Sequence, residues 1–263
     1  MNGRQSPTTI PVTSRPAGRP SSLAVRALRQ AGYEARIILS NGEQLLLALI
    51  LPIIALVALT WVDVLDGVAP KRIDAAAPGV LALCLVSVAF TGQAIQTGFD
   101  RQYGVLRSLA TTPLGRSGLI LGKTLAVIAV LLVQLVVLGV IAGLMGWRPH
   151  ALGFLPAAVA LLLGVGAFAS LGLLLAGTLR PQATLAVTNL VWVLLAGVGG
   201  LLLPLRHLHP LAHSLITLLP SSALGDAMRA ALIHGTFDLA AFVVLAVWAV
   251  LGAAAAIRFF RWD

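Results

Sequence analysis

Apolar runs of about 20 residues, separated by short segments that hold nearly all the charge, organise this chain from position 45 onward. The runs lie near Leu45–Val62, Ala77–Gly98, Leu119–Gly143, Phe154–Thr178, Thr184–Leu205 and Leu239–Phe259. At about 1.5 Å per residue each can cross a hydrocarbon core of roughly 30 Å. None alternates as a barrel strand does, and backbone groups in lipid must find partners within their own segment. The pattern therefore predicts an all-α polytopic membrane protein with six transmembrane helices.

A different period precedes the first run. From Ser22 to about Ser40, Arg26, Arg29, Tyr33 and Arg36 share one side of a helix. Ala24, Leu28, Ala31, Ala35 and Ile38 share the other. This predicts an amphipathic helix lying in the membrane interface, with Asn41-Gly42 as its stop. A second amphipathic segment, Asp100 to Ala110, lies between the second and third runs. Tyr103, Leu106 and Ala110 line one face, while Arg101, Gln102 and Arg107 fall elsewhere. Pro113 ends it, and Ser117 is placed to cap the next helix. The expectation is a stiff two-turn helix across the ends of two spans.

Composition confirms the class: 59% of the 263 residues are hydrophobic and 10% charged, against roughly 25% charged in a soluble domain. The net charge of +9 follows from orientation. With the amino-terminal arm, the segments after spans two and four and the carboxyl end on one side, that side carries 13 of the 18 Lys and Arg residues. By the positive-inside rule it is cytoplasmic, so basicity requires no nucleic acid. Residues 1–21, rich in Pro, Ser and Thr, read as a disordered cytoplasmic arm without a cleavable signal peptide, followed by a transmembrane domain over 22–263. The lone Cys84 excludes an intramolecular disulfide.

Candidate chemistry is sparse. Gly118-Leu119-Ile120-Leu121-Gly122-Lys123-Thr124 imitates a phosphate loop. It has three residues between its glycines instead of four and runs into a span, so no nucleotide site is expected. Lys123 is read as snorkelling to the inner interface, and the spans are taken to be free of ionisable groups. Their neutral polar residues, notably Gln93, Gln96, Gln134 and Asn189, either line a pathway or bond to neighbouring helices. His207, His209 and His213 lack a nearby Cys or carboxylate, so no metal site is assigned. Pro220-Ser221-Ser222 can start a short helix with Leu224, Met228, Ala231 and Leu232 as its apolar stripe. Asp226 and Arg229 then fall on its wetter side.

Asp100-Arg101-Gln102-Tyr103-Gly104-Val105-Leu106-Arg107-Ser108-Leu109, then Thr112-Pro113, then Gly122-Lys123, resembles the signature of type-2 ABC exporter permeases, within them the drug-resistance and antibiotic-efflux branch. The resemblance spans about Ser22 to Asp263. It implies that Asp100, Arg101, Gln102, Tyr103, Gly104, Leu106, Arg107 and Leu109, with the helix bearing Arg26, Arg29, Tyr33 and Arg36, dock on a separate ABC ATPase subunit. ATP and Mg would belong to that partner, and this chain would carry no cofactor and no catalysis. A second permease copy or paralogue, an amphipathic drug or lipid-like substrate, and a bacterial inner membrane with both termini cytoplasmic are also implied. Many relatives carry Glu where Gln102 stands and an acidic residue where Arg107 stands, so the partner surface should differ in charge here. A stand-alone ion-coupled carrier and a membrane biogenesis factor are the alternatives of other classes.

Overall fold

The computed structural model describes residues 22–40, 42–110, 115–203 and 214–260, and every regular element among them is helical. In order these are α1 (Leu23–Ser40), α2 (Gly42–Trp61), α3 (Arg72–Leu85), a π-helical stretch at Val86–Gly92, and α4 (Gln93–Gln102). Then come α5 (Val105–Ala110), α6 (Gly115–Leu144), α7 (Phe154–Thr178), α8 (Pro181–Gly197), α9 (Pro220–His234) and α10 (Leu239–Phe259). Residues 1–21, Pro113 and the three histidines at 207, 209 and 213 lie outside the described residues, as do the side chains of Arg107, Leu109, Ala110 and Ser117.

Among the described residues, four stretches are long and apolar enough to cross a membrane: Arg72–Gln102, Gly118–Leu144, Ala151–Thr178 and Leu239–Phe259. Shorter apolar stretches occur at Ala48–Trp61 and Pro181–Gly197. α7 and α10 have the bounds that the apolar runs predict. The second run extends at both ends, because α3, the π stretch and α4 are continuous. α6 starts at Gly115, so Ser117 sits inside the helix and does not cap it. α8 stops at Gly197 instead of near Leu205; Gly200, with φ +72°, turns the chain there.

The helix from Arg72 to Gln102 is the centre of the fold. Its most apolar stretch is 83% buried, against 22% for α10 at the periphery. It packs on α2, α7 and α9, with Leu85, Phe168, Leu224, Met228 and Leu245 fully enclosed. Phe90 meets Phe168 edge to face. α7 approaches the π stretch so closely that a Cβ on Gly172 would lie 2.8 Å from the Phe90 carbonyl oxygen. From the other side, Trp192 of α8 donates its indole N–H to Ser87 Oγ at 2.9 Å. On the short turn after α2, Arg72 pairs with Asp63 and Asp66. Its guanidinium, hydrogen-bonded to Asp66, holds that carboxyl below the usual carboxylate range.

α9 does not lie on a surface. It is wedged among α3, α7 and α10, and Leu224, Met228, Ala231 and Leu232 are all buried as their spacing predicts. Arg229, expected on the wet side, is 6% exposed. It donates to the carbonyls of Gly200 (2.8 Å) and Leu201 (3.0 Å) and to Asp226 (2.8 Å). Ser221 Oγ adds a bond to the Gly199 carbonyl at 2.8 Å. The turn that ends α8 exposes unpaired carbonyls, and these require buried donors. Arg229 and Ser221 supply them, which is why a charged residue sits inside.

Candidate functional site

Lys123 lies eight residues beyond the start of α6 and is 2% exposed. Its Nζ donates to Asp100 Oδ2 at 2.7 Å and to Glu34 Oε2 at 3.2 Å. Glu34 is itself buried, and its second oxygen accepts from Gln30 Nε2 at 2.8 Å. Three elements distant in sequence thus meet in one buried ion triad: α1 through Glu34, α4 through Asp100 and α6 through Lys123. This corrects the reading of Lys123 as a snorkelling marker and of the spans as free of ionisable groups. A buried ammonium persists only when paired, and two carboxylates pair it here.

The approach of α1 explains how Glu34 reaches that position. α1 packs along α6 through Ala27, Ala31 and Ala35, small residues that let the helices come close. Gly122 receives α1 from the opposite side; a Cβ there would stand 2.7 Å from Gln30 Cγ. The buried face is therefore rotated from the predicted one, leaving Ala24 and Leu28 exposed. Arg29, Tyr33 and Arg36 face outward, and Arg26 is half-buried. The signal was present in the sequence, since Glu34 is the one acidic residue set into an alanine stripe.

Next to Asp100, Arg101 donates Nη2 to the Leu179 carbonyl at 2.7 Å, tying the end of α4 to the turn between α7 and α8. The chain then breaks. Gly104 adopts φ +71°, a left-handed conformation open to glycine, and its N–H bonds to the Arg101 carbonyl as at a helix end. The predicted single helix from Asp100 to Ala110 is consequently two pieces, and its apolar face does not run through. Tyr103 is 73% exposed and stacks on Phe99, whereas Leu106 is 1% exposed and packs inside the protein. Among the described side chains of the segment, Gln102, Tyr103, Val105 and Ser108 are exposed, as is Gly104.

The candidate pathway residues do not converge. Gln93 bonds weakly to Thr97 within α4, at 3.4 Å. Gln134 crosses to the Ala48 carbonyl of α2 at 3.3 Å, and Gln96 is half-buried. Asn189 is exposed on α8. The imitation phosphate loop is continuous α-helix from Gly115, so its backbone N–H groups are used within the helix and its lysine is held by carboxylates. Among the described residues no group of three His, Cys, Asp or Glu side chains could hold a metal ion.

Long apolar helices around a central buried one define a multi-pass membrane protein, and the charged junction at one end of the bundle joins three of its elements. Residues 33–233 match the family model described as ABC-2 type transporter, and the chain belongs to that family. It is accordingly a permease subunit of an ABC transporter, a transport component that is not itself catalytic, and membership implies an ABC ATPase as partner. A comparison with curated proteins found no match.

Proposed function

We propose that this permease belongs to an exporter of the drug-resistance and antibiotic-efflux branch and extrudes an amphipathic drug or lipid-like molecule. Two copies, or one copy and a paralogue, work with two ATPase subunits that bind ATP and Mg. The observation that carries the reading is the Glu34–Lys123–Asp100 junction, which makes α1, the end of α4 and the start of α6 one mechanical unit. Beside it stand the exposed Gln102 and Tyr103, a surface on which a partner can push. Closure of the ATPases acts there, and the junction shares the displacement between α1 and two membrane helices.

Six spans fit this reading. α2 has 20 residues and α8 has 17, about 30 and 26 Å at the helical rise, close to the hydrocarbon thickness. The exposed Asn189 supports a second permease. An amide on an otherwise apolar helix face needs a hydrogen-bond partner in lipid, and a facing helix supplies one. The basic asymmetry supports cytoplasmic termini in a bacterial inner membrane. Cysteines at Gln102 and at both termini should then resist impermeant thiol reagents added outside intact cells, whereas one near His209 should be labelled. Cys84 is buried and adds no background. Labelling of both termini from outside would reverse the orientation and remove the docking surface.

Energy source separates this reading from an ion-coupled carrier. The purified chain should bind no ATP and, alone in liposomes, should move no substrate on a proton gradient. Adding its ATPase partner should confer vanadate-sensitive turnover and transport together. Gradient-driven transport by the chain alone would establish the carrier.

A further inference from the structure

A cavity of about 510 Å³ lies between α6, α7 and α10, on the side of the bundle that holds the ion triad. Its origin is a mismatch of side-chain size. α7 and α10 close on each other where Gly252 sits directly against Ser170, with no room for a Cβ. Toward the ends of these helices, small residues such as Ala169, Ala253 and Ala256 face Leu119 and Ile120 of α6 across a gap. α6 does not fill that gap because it is drawn toward α1 by the alanine stripe and the triad.

The cavity has a mostly apolar lining, with the hydroxyls of Thr97, Thr124 and Ser170 among it, and an apolar mouth. Ala253 and Ile257 on its α10 rim are exposed, Ile257 by 80%, and Ile120 on its α6 rim is also exposed. On helices that cross a membrane these exposed sides face hydrocarbon, so the opening leads into lipid. Gly166, another lining residue, lies about 18 Å along α7 from its end at Thr178, which puts the far wall well inside the bilayer. Among its described lining residues the charged one, Lys123, already has both carboxylates as partners. Walls that are mostly hydrocarbon gain dispersion contacts from an apolar occupant that water does not supply.

We infer that this cavity is a lipid site that takes one acyl chain of a bilayer phospholipid, entering sideways between α6 and α10. Charge and shape both select that occupant: among the described lining residues no free cation awaits a phosphate, and the volume lies in the range of about 300–1,000 Å³ that ligand sites occupy. The chain enters along the exposed Ile120, Ala253 and Ile257 and reaches toward Ala169 and Ser170. This inference depends on membrane embedding alone and stands apart from the direction or substrate of transport.

The test uses the full chain in nanodiscs made with a phosphatidylcholine that carries a diazirine on one acyl chain, with adducts mapped by mass spectrometry. Irradiation should label inner positions such as Ser170 and Ala256. Ala253→Trp, which plugs the mouth from an exposed position, should abolish those inner adducts, whereas Val250→Trp on the exposed face of the same helix should retain them. Labelling confined to outward-facing residues such as Val250 in the wild-type protein overturns the inference. So do inner adducts that survive Ala253→Trp unchanged.

Discussion

Lys123→Ala is expected to destabilise the protein by about 3–5 kcal/mol, the range for stranding one side of a buried ion pair. The variant leaves Glu34 without its cation at 6% side-chain exposure, with Gln30 as its remaining bond. Asp100, at 24%, can turn partly toward solvent. Most of the loss should therefore trace to Glu34. Adding Glu34→Gln removes the stranded charge, so the double variant should be more stable than Lys123→Ala alone. Thermal unfolding of the wild type, Lys123→Ala, Glu34→Gln and the double variant in one detergent would measure this. An unfolding temperature for Lys123→Ala equal to the wild type would return the lysine to a simple interface marker. With the ATPase partner present, the same variant should also lose coupled turnover, since α1 would no longer be held to α4 and α6.

Arg229→Met is the second large effect, about 2–5 kcal/mol, from two buried carbonyls that lose their donors. It removes donors from the Gly200 and Leu201 carbonyls and leaves Asp226 with Ser222 as its remaining bond. Both the chain and the bulk of the side chain are kept, so the loss reports bonding more than volume. Detachment should be local at first: proteolysis of the detergent-solubilised protein should become faster in the turn at 198–203 than elsewhere. Asp226→Asn leaves the arginine bonded to both carbonyls, and its carboxylate partner is 38% exposed, so its effect should stay below about 1 kcal/mol. Equal destabilisation by the two variants would show that the ion pair, and not the carbonyl clamp, holds α9 in place.

What the sequence made legible follows from range. The bounds of α7 and α10 could be read directly, because an apolar run against lipid needs only its own length and composition. The apolar stripe of α9 was equally readable, being a matter of spacing within 15 residues. The polar contacts were not. Lys123 is 89 residues from Glu34 and 23 from Asp100, and no local pattern joins them. Taken singly, a lysine at a span's edge looks solvated and an Asp–Arg pair three apart looks like surface polarity; burial reverses both. Gly104 was a missed local signal. Its left-handed turn resets helical phase, so Tyr103 and Leu106 point to opposite environments although they are three apart.

The π-helical stretch in the central helix has a bearing on that junction. A π turn accommodates one residue more than an α turn. If Val86–Gly92 tightened to α geometry, everything after it would rotate by about 100° about the helix axis and advance by about 1.5 Å. Asp100 would swing off Lys123, while Ser87, before the surplus residue, would keep its hold on Trp192. The central helix is therefore indexed like a screw with one thread out of pitch, and the ion triad engages at one setting of that screw.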